Sequence, residues 1–225
     1  MAASISKKEL KEPDFLQVEF SRLTAFLGHH KSKVYVLLSA FVVCLSIAAG
    51  WLFYQFNYEK AALNIYTQVE SIAQKNVGAE NAPKLIEGYR NLIVKYPRSK
   101  SALYANYQLA NLYYNAQQID LSLRAYDEFL KKAPQRNDLR IFANLGQGYC
   151  YEVKKDFKKA LISFENALKS SGALYFEGQI YRDMARIYEE LKDQKKTLEY
   201  YKKSLEKTTD DTVKAILKRK IASLG

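Results

Sequence analysis

Small and aromatic residues recur in this chain at intervals of 37 or 38, and that period restricts the fold more than any other feature. Tyr89, Tyr126, Phe164 and Tyr201 form one series; Tyr113, Tyr151 and Tyr188 form a second. In three successive units the two aromatic positions lie 13 residues apart, the spacing of a helix, a short turn and a partner helix. Ala110, Gly148 and Ala185 precede the first aromatic by three. Ser122, Ala160 and Thr197 precede the second by four, and Phe129, Ala167 and Ser204 follow it by three. Small residues at the positions before each aromatic let two helices approach closely and receive the partner's ring. The turns fall at Asn115–Asp120, Val153–Phe157 and Leu191–Lys195, and Pro97 and Pro134 stand where a second helix must stop. With nine glycines and four prolines among 225 residues, long stretches have no helix breaker.

The pattern resembles the tetratricopeptide repeat (TPR). Gly148, Tyr151, Ala160, Phe164 and Ala167 match it almost position by position, while the other units are degenerate and the period exceeds the usual 34. The longer period implies longer helices or longer connections between repeats. The resemblance covers about residues 84–207 and implies an all-α solenoid, in which each helical pair buries its apolar face against the next. The stretch 210–225, with an acidic start and a basic later half, is expected to be the helix that caps the last face. Residues 58–74 carry Ala62, Ile65, Tyr66, Val69 and Ile72 at helical spacing and are expected to partner a helix at 84–96 across a loop at 76–83.

Such arrays bind peptides or protein segments in a groove lined by the first helix of each pair. By resemblance, the groove positions are Tyr104, Tyr107, Asn111 and Tyr114 in the first clear pair, Phe142, Leu145, Tyr149 and Glu152 in the next, and Gln179, Arg182, Arg186 and Glu189 in the last. The lining passes from aromatic to charged, which suits a segment of apolar and acidic character. Tyr104, Tyr107 and Phe142 are equally suited to packing against a neighbouring helix.

Residues 34–58 contain no charged side chain. At about 1.5 Å per residue such a helix exceeds the ~30 Å hydrocarbon core of a bilayer. Tyr35 near one end, and Trp51, Tyr54 and Tyr58 near the other, are placed as interfacial aromatics. The expectation is one transmembrane helix, in contact with lipid, between a short tail (1–33) and a repeat domain (59–225). Lys31 and Lys33, with Arg22 further out, flank the first end, and Lys60 and Lys75 lie beyond Glu59 at the second, so the positive-inside bias favours a cytoplasmic N-terminus by a small margin. Ser46-Ile47-Ala48 loosely fits a signal-peptidase site, but the apolar run continues through Phe56 and the charged region before it is long. Within the tail, Phe15, Leu16, Phe20, Leu23 and Leu27 fall near helical spacing after Asp14, suiting a membrane surface, a partner or a marginal helix alike.

The net charge is +11, of which residues 1–33 supply +2. The excess is mostly lysine scattered through helical patterns, the composition of a solvated surface, and no nucleic-acid partner is expected. Two cysteines, Cys44 and Cys150, give neither a disulfide framework nor a metal spacing. His29 and His30, the only histidines, sit in the flank before the apolar run. There is no phosphate loop, no GxSxG, no HExxH and no carboxylate pair with a supporting histidine, so neither enzyme chemistry nor a cofactor or metal is expected.

The layout of tail, single span and repeat domain resembles the bacterial YfgM-like family, ancillary subunits of the Sec translocon that associate with periplasmic chaperones. The resemblance implies an inner-membrane protein with its C-terminal domain in the periplasm. Related repeats also serve other envelope assemblies, in secretion, pilus formation or outer-membrane biogenesis. A reporter fused after Gly225 is expected to be active only outside the cytoplasm; a cytoplasmic signal overturns this orientation.

Overall fold

A computed structural model describes residues 15–29, 31–75 and 81–224. The tail residues 1–14 with Asp14, His30, most of the expected loop (76–80) and the terminal Gly225 lie outside the described residues. The described chain is helical, with no strand: α1 (Phe15–His29), α2 (Lys31–Lys75), α3 (Ala82–Lys95), α4 (Lys100–Asn115), α5 (Ile119–Lys132), α6 (Leu139–Val153), α7 (Phe157–Leu168), α8 (Glu177–Glu190), α9 (Gln194–Lys207) and α10 (Asp211–Leu224). A 3₁₀ turn, Ala173–Tyr175, precedes α8. The chain divides into two compact units, Met1–Asn57 and Tyr58–Gly225.

In the first unit, the apolar part of α2 has no buried residue in its most hydrophobic 18-residue window, whose mean hydropathy is 2.4. Phe41, Trp51, Leu52 and Phe53 are all exposed. The helix is long and apolar enough to cross a membrane.

The second unit is a row of helical hairpins: α4 with α5, α6 with α7, and α8 with α9, each packed on the next, with α10 against α9. A preceding pair joins the end of α2 to α3. There Ala62 is fully buried, Val69 lies where Gly88 has no side chain, and the Tyr89 hydroxyl donates to Glu70 at 2.6 Å. Tyr58 meets the ring of Tyr96 edge-on at 5.1 Å, and the Glu59 carboxylate accepts the backbone N–H of Lys100 in the first turn of α4.

In the second hairpin the aromatic of the second helix, Phe164, lies against the small residue of the first, Gly148, and in the first and third Tyr126 and Tyr201 share a core with Ala110 and Ala185. Tyr89, Tyr126, Phe164 and Tyr201 are all buried, Phe164 completely. A Cβ on Gly148 would collide with the Phe164 ring, so this glycine is required by approach. Where the small residue is hydroxylated it also makes a hydrogen bond: Ser122 Oγ donates to the Ala110 carbonyl (2.8 Å) and Ser204 Oγ to that of Gly178 (2.6 Å). These bonds satisfy hydroxyls buried between packed helices.

The turn inside each hairpin is the same object three times. Gln117, Lys155 and Lys192 adopt positive φ (58°, 57°, 58°). The next residue's N–H returns to the carbonyl of Tyr113, Tyr151 or Tyr188, closing a Schellman motif. In the second and third hairpins an aspartate then caps the partner helix, Asp156 accepting from Lys159 N–H and Asp193 from Lys196 N–H. The extra length of the repeat lies outside these turns, in the longer helices and in the connections 133–138 and 169–176. The latter contains the 3₁₀ turn after Gly172 (φ 76°), which the sequence pattern does not signal.

The closing helix buries Leu217 beside Ala185 and Tyr201, and Lys220 reaches Glu189 at 2.8 Å. Two substitutions are expected to act in opposite directions. Lys155→Gly relieves a left-handed residue and raises stability by about 1 kcal/mol. Gly148→Ala lowers it, because overpacking against Phe164 at about 1–3 kcal/mol exceeds the helix-propensity gain of about 1 kcal/mol. Urea titration of the full chain in detergent measures both.

Candidate functional site

The first helices α4, α6 and α8 stand side by side, so residues at equivalent positions form one inner face. On α4, Tyr104 is 38% exposed. Tyr107 is half-buried with its ring 5.5 Å from Phe129, and Asn111 Oδ1 accepts the Tyr126 hydroxyl at 2.6 Å. Tyr114 is half-buried. On α6, Phe142 is 36% exposed and meets Phe176 edge-on, whereas Leu145 is buried in the core. The ring of Tyr149 packs edge-on against Phe164. Its hydroxyl donates to Asp183 Oδ2 at 2.7 Å and accepts from Gln179 Nε2 at 3.1 Å.

Polar residues tie α6 to α8. Arg186 grips Glu152 through two bonds of 2.7 Å and reaches Asp183 at 3.1 Å. This bidentate, half-buried arrangement is the kind of ion pair that holds geometry. Glu189 accepts from the Tyr201 hydroxyl and from Lys220. Among the described residues Arg182, half-buried, makes no ion pair.

A recess of about 250 Å³ gathers seven of the twelve expected groove residues: Tyr107, Asn111, Tyr114, Phe142, Leu145, Tyr149 and Gln179. Tyr126 and Gly146 complete its lining. Tyr104, Glu152, Arg182, Arg186 and Glu189 lie outside it. Gly146 is needed here because a Cβ would strike the phenol of Tyr126 on its way to Asn111. The residues that sequence reasoning missed are Tyr126, Gly146 and Asp183. Gly146 was signalled by a second glycine two residues from Gly148, and Asp183 by an acid on the otherwise core-facing stripe of α8. Asp183 is 3% exposed, and burial raises its carboxyl above the usual range although Tyr149 and Arg186 both favour the charged form. Burial likewise raises the Tyr149 and Tyr126 phenols, and Tyr66 is pushed up to about 12.

Among the described residues no group of His, Cys, Asp and Glu is placed to hold a metal. Cys150 is buried, its thiol in contact with the Ser122 hydroxyl at 3.3 Å and raised by burial, a packing residue and not an activated nucleophile. A larger hollow, about 770 Å³, opens on another side between α3, α4 and α5, beside Tyr113, Leu121 and Val94. In the following hairpins lysines lie over the equivalent tyrosines, Lys159 over Tyr151 and Lys196 over Tyr188. Leu121 stands at that position beside Tyr113 and leaves the space open.

No protein-family model matches the chain, and no curated protein matches it either. Solved structures do. A MamA protein aligns over 71% of this chain and 80% of its own with a TM-score of 0.56 at 13% identity. A putative kinesin light chain with nearly identical TPR-like repeats from Podospora anserina aligns over 74% and 86% (TM-score 0.54, 11% identity). PilF of Pseudomonas aeruginosa aligns over 74% and 72% (0.53, 19%). At these identities the likeness defines the fold alone: a TPR-like helical solenoid.

The raised carboxyl of Asp183 makes one further expectation testable. A group that holds its proton more tightly when folded opposes folding increasingly as pH rises above its ordinary 3.8. The stability of the native chain relative to Asp183→Asn is therefore expected to fall between pH 4 and pH 7. Parallel urea titrations at several pH values measure it, and a pH-independent difference contradicts the assignment.

Proposed function

We propose that this protein is a membrane-anchored, non-enzymatic interaction module that uses the inner groove of its repeat domain to recruit proteins at the bacterial inner membrane. The observation that carries the reading is the aromatic recess on the inner face. Half-exposed rings of Tyr107, Phe142 and Tyr149 surround it, and adjacent hairpins hold them in place. An exposed set of aromatic side chains in a concave, pre-formed surface suits recognition of a polypeptide segment. The uncharged helix across residues 34–58 supports anchoring in lipid, with the N-terminus cytoplasmic and the repeat domain periplasmic. The arrangement of tail, span and repeats, resembling the YfgM-like family, supports a place beside the Sec translocon and periplasmic chaperones. The twelve groove residues named from the sequence are the proposed contact surface, with Glu152, Arg186 and Glu189 acting mainly to fix the helices that present the others.

Photo-crosslinking amino acids at Tyr107 and Arg182, in the native membrane, are expected to capture a Sec subunit or a periplasmic chaperone. Recovery of pilus or outer-membrane assembly components without either overturns the translocon assignment and leaves the scaffold role. No crosslink from either position counts against the groove itself.

A further inference from the structure

The partner's chemistry follows from which polar groups on the inner face are already engaged; this inference rests on the groove reading above. Every carboxylate described there has internal donors. Glu152 and Asp183 are held by Arg186, and Asp183 also by Tyr149. Glu189 is held by Tyr201 and Lys220. The cations are not matched in the same way. Arg186 and Lys220 are engaged, but Arg182 has neither an ion pair nor a hydrogen bond among the described residues, although it is half-buried. At the equivalent position of α10, 37 residues on, stands Arg219, exposed and likewise without an ion pair among the described residues. Among the described residues of this face, Arg182, whose charge also acts on nearby Asp183 and Tyr201, and Arg219 are thus the arginines left without a direct ion pair, and residues 34–225 carry a net +9 that attracts an acidic segment from a distance.

Arg182 lies one helical turn from Gln179, which lines the recess. Residues three apart on a helix have Cβ atoms about 5–6 Å apart, and an extended chain advances about 3.3–3.6 Å per residue. The recess itself has aromatic walls and enough room for one ring. On its edge Asn111 has its oxygen occupied by Tyr126, which leaves its amide nitrogen as a donor for a backbone carbonyl.

We propose that the groove binds an extended segment bearing an aromatic side chain, seated in the recess between α4 and α6, and a carboxylate two to four residues away, held by Arg182. The aromatic ring supplies contact area, and the Arg182–carboxylate bond sets the direction in which the segment runs.

A peptide library tests this with the full chain in detergent micelles. The library holds one fixed Phe with four randomised positions on each side. Selection is expected to enrich Asp or Glu two to four positions from the Phe, on one side only. A selected peptide made with Asn or Gln in place of that acid should bind roughly tenfold more weakly, the loss of one charge-assisted contact. On Arg182→Gln the two peptides should bind alike, and on Arg182→Glu the library should enrich Lys or Arg at the same position. Reversal of preference is an outcome that misfolding does not produce. Enrichment without charge preference, enrichment of basic residues, or an acid preference that survives Arg182→Gln overturns the inference while the groove reading stands. No enrichment at all, with crosslinks still formed from Tyr107, overturns the extended-segment model in favour of a folded partner or a second copy. No enrichment and no crosslinks remove both.

Discussion

A ring seated on a residue with little or no side chain is the contact on which the rest of this fold depends. Phe164 over Gly148 and Tyr126 over Gly146 show it, each with no room for even one more carbon atom. Tyr126 and Ala110, and Tyr201 and Ala185, are likewise buried in shared cores. Because each contact draws two helices close, it fixes their crossing and so the direction in which the following hairpin must lie. The apolar surface left over on one hairpin is buried only by its neighbour, which makes the array cooperative in spite of its local wiring.

The inner face inherits its precision from that packing. Tyr149 shows how: one side of its ring contributes to the core against Phe164, while its hydroxyl reaches across to Asp183 on α8. A side chain that serves both core and surface cannot swing freely, so the recess it borders is shaped in advance of any partner. The Glu152–Arg186 pair plays the corresponding part further along α6 and α8, in a setting where a bidentate bond constrains orientation more than it stabilises.

The helical hairpins and their spacing were legible in the sequence because small and aromatic residues announce their own partners at a constant distance. The turn conformation was not. Gln117, Lys155 and Lys192 adopt a backbone usually marked by glycine, and their side chains carry no sign of it. The 3₁₀ turn at Ala173–Tyr175 was hidden for a similar reason, since a connection of variable length has no period. The groove positions could be named from the repeat, yet their state could not. Which arginine is engaged depends on residues 34 apart, as in Glu152 with Arg186, and only the packed helices bring those together. Leu145, named as a groove position, borders the recess yet is buried, packed in one core with residues of α7 and α8.

The three identical left-handed turns bear on how the chain acquires its shape. Each turn joins helices whose principal contacts lie within some forty residues of sequence, so little loop entropy is lost in closing any one of them. A hairpin can begin to form as soon as its own two helices are available, before the later ones exist. Such a chain suits synthesis from its N-terminal end, in which the helices appear in sequence order and each new pair finds its predecessor already in place to dock upon.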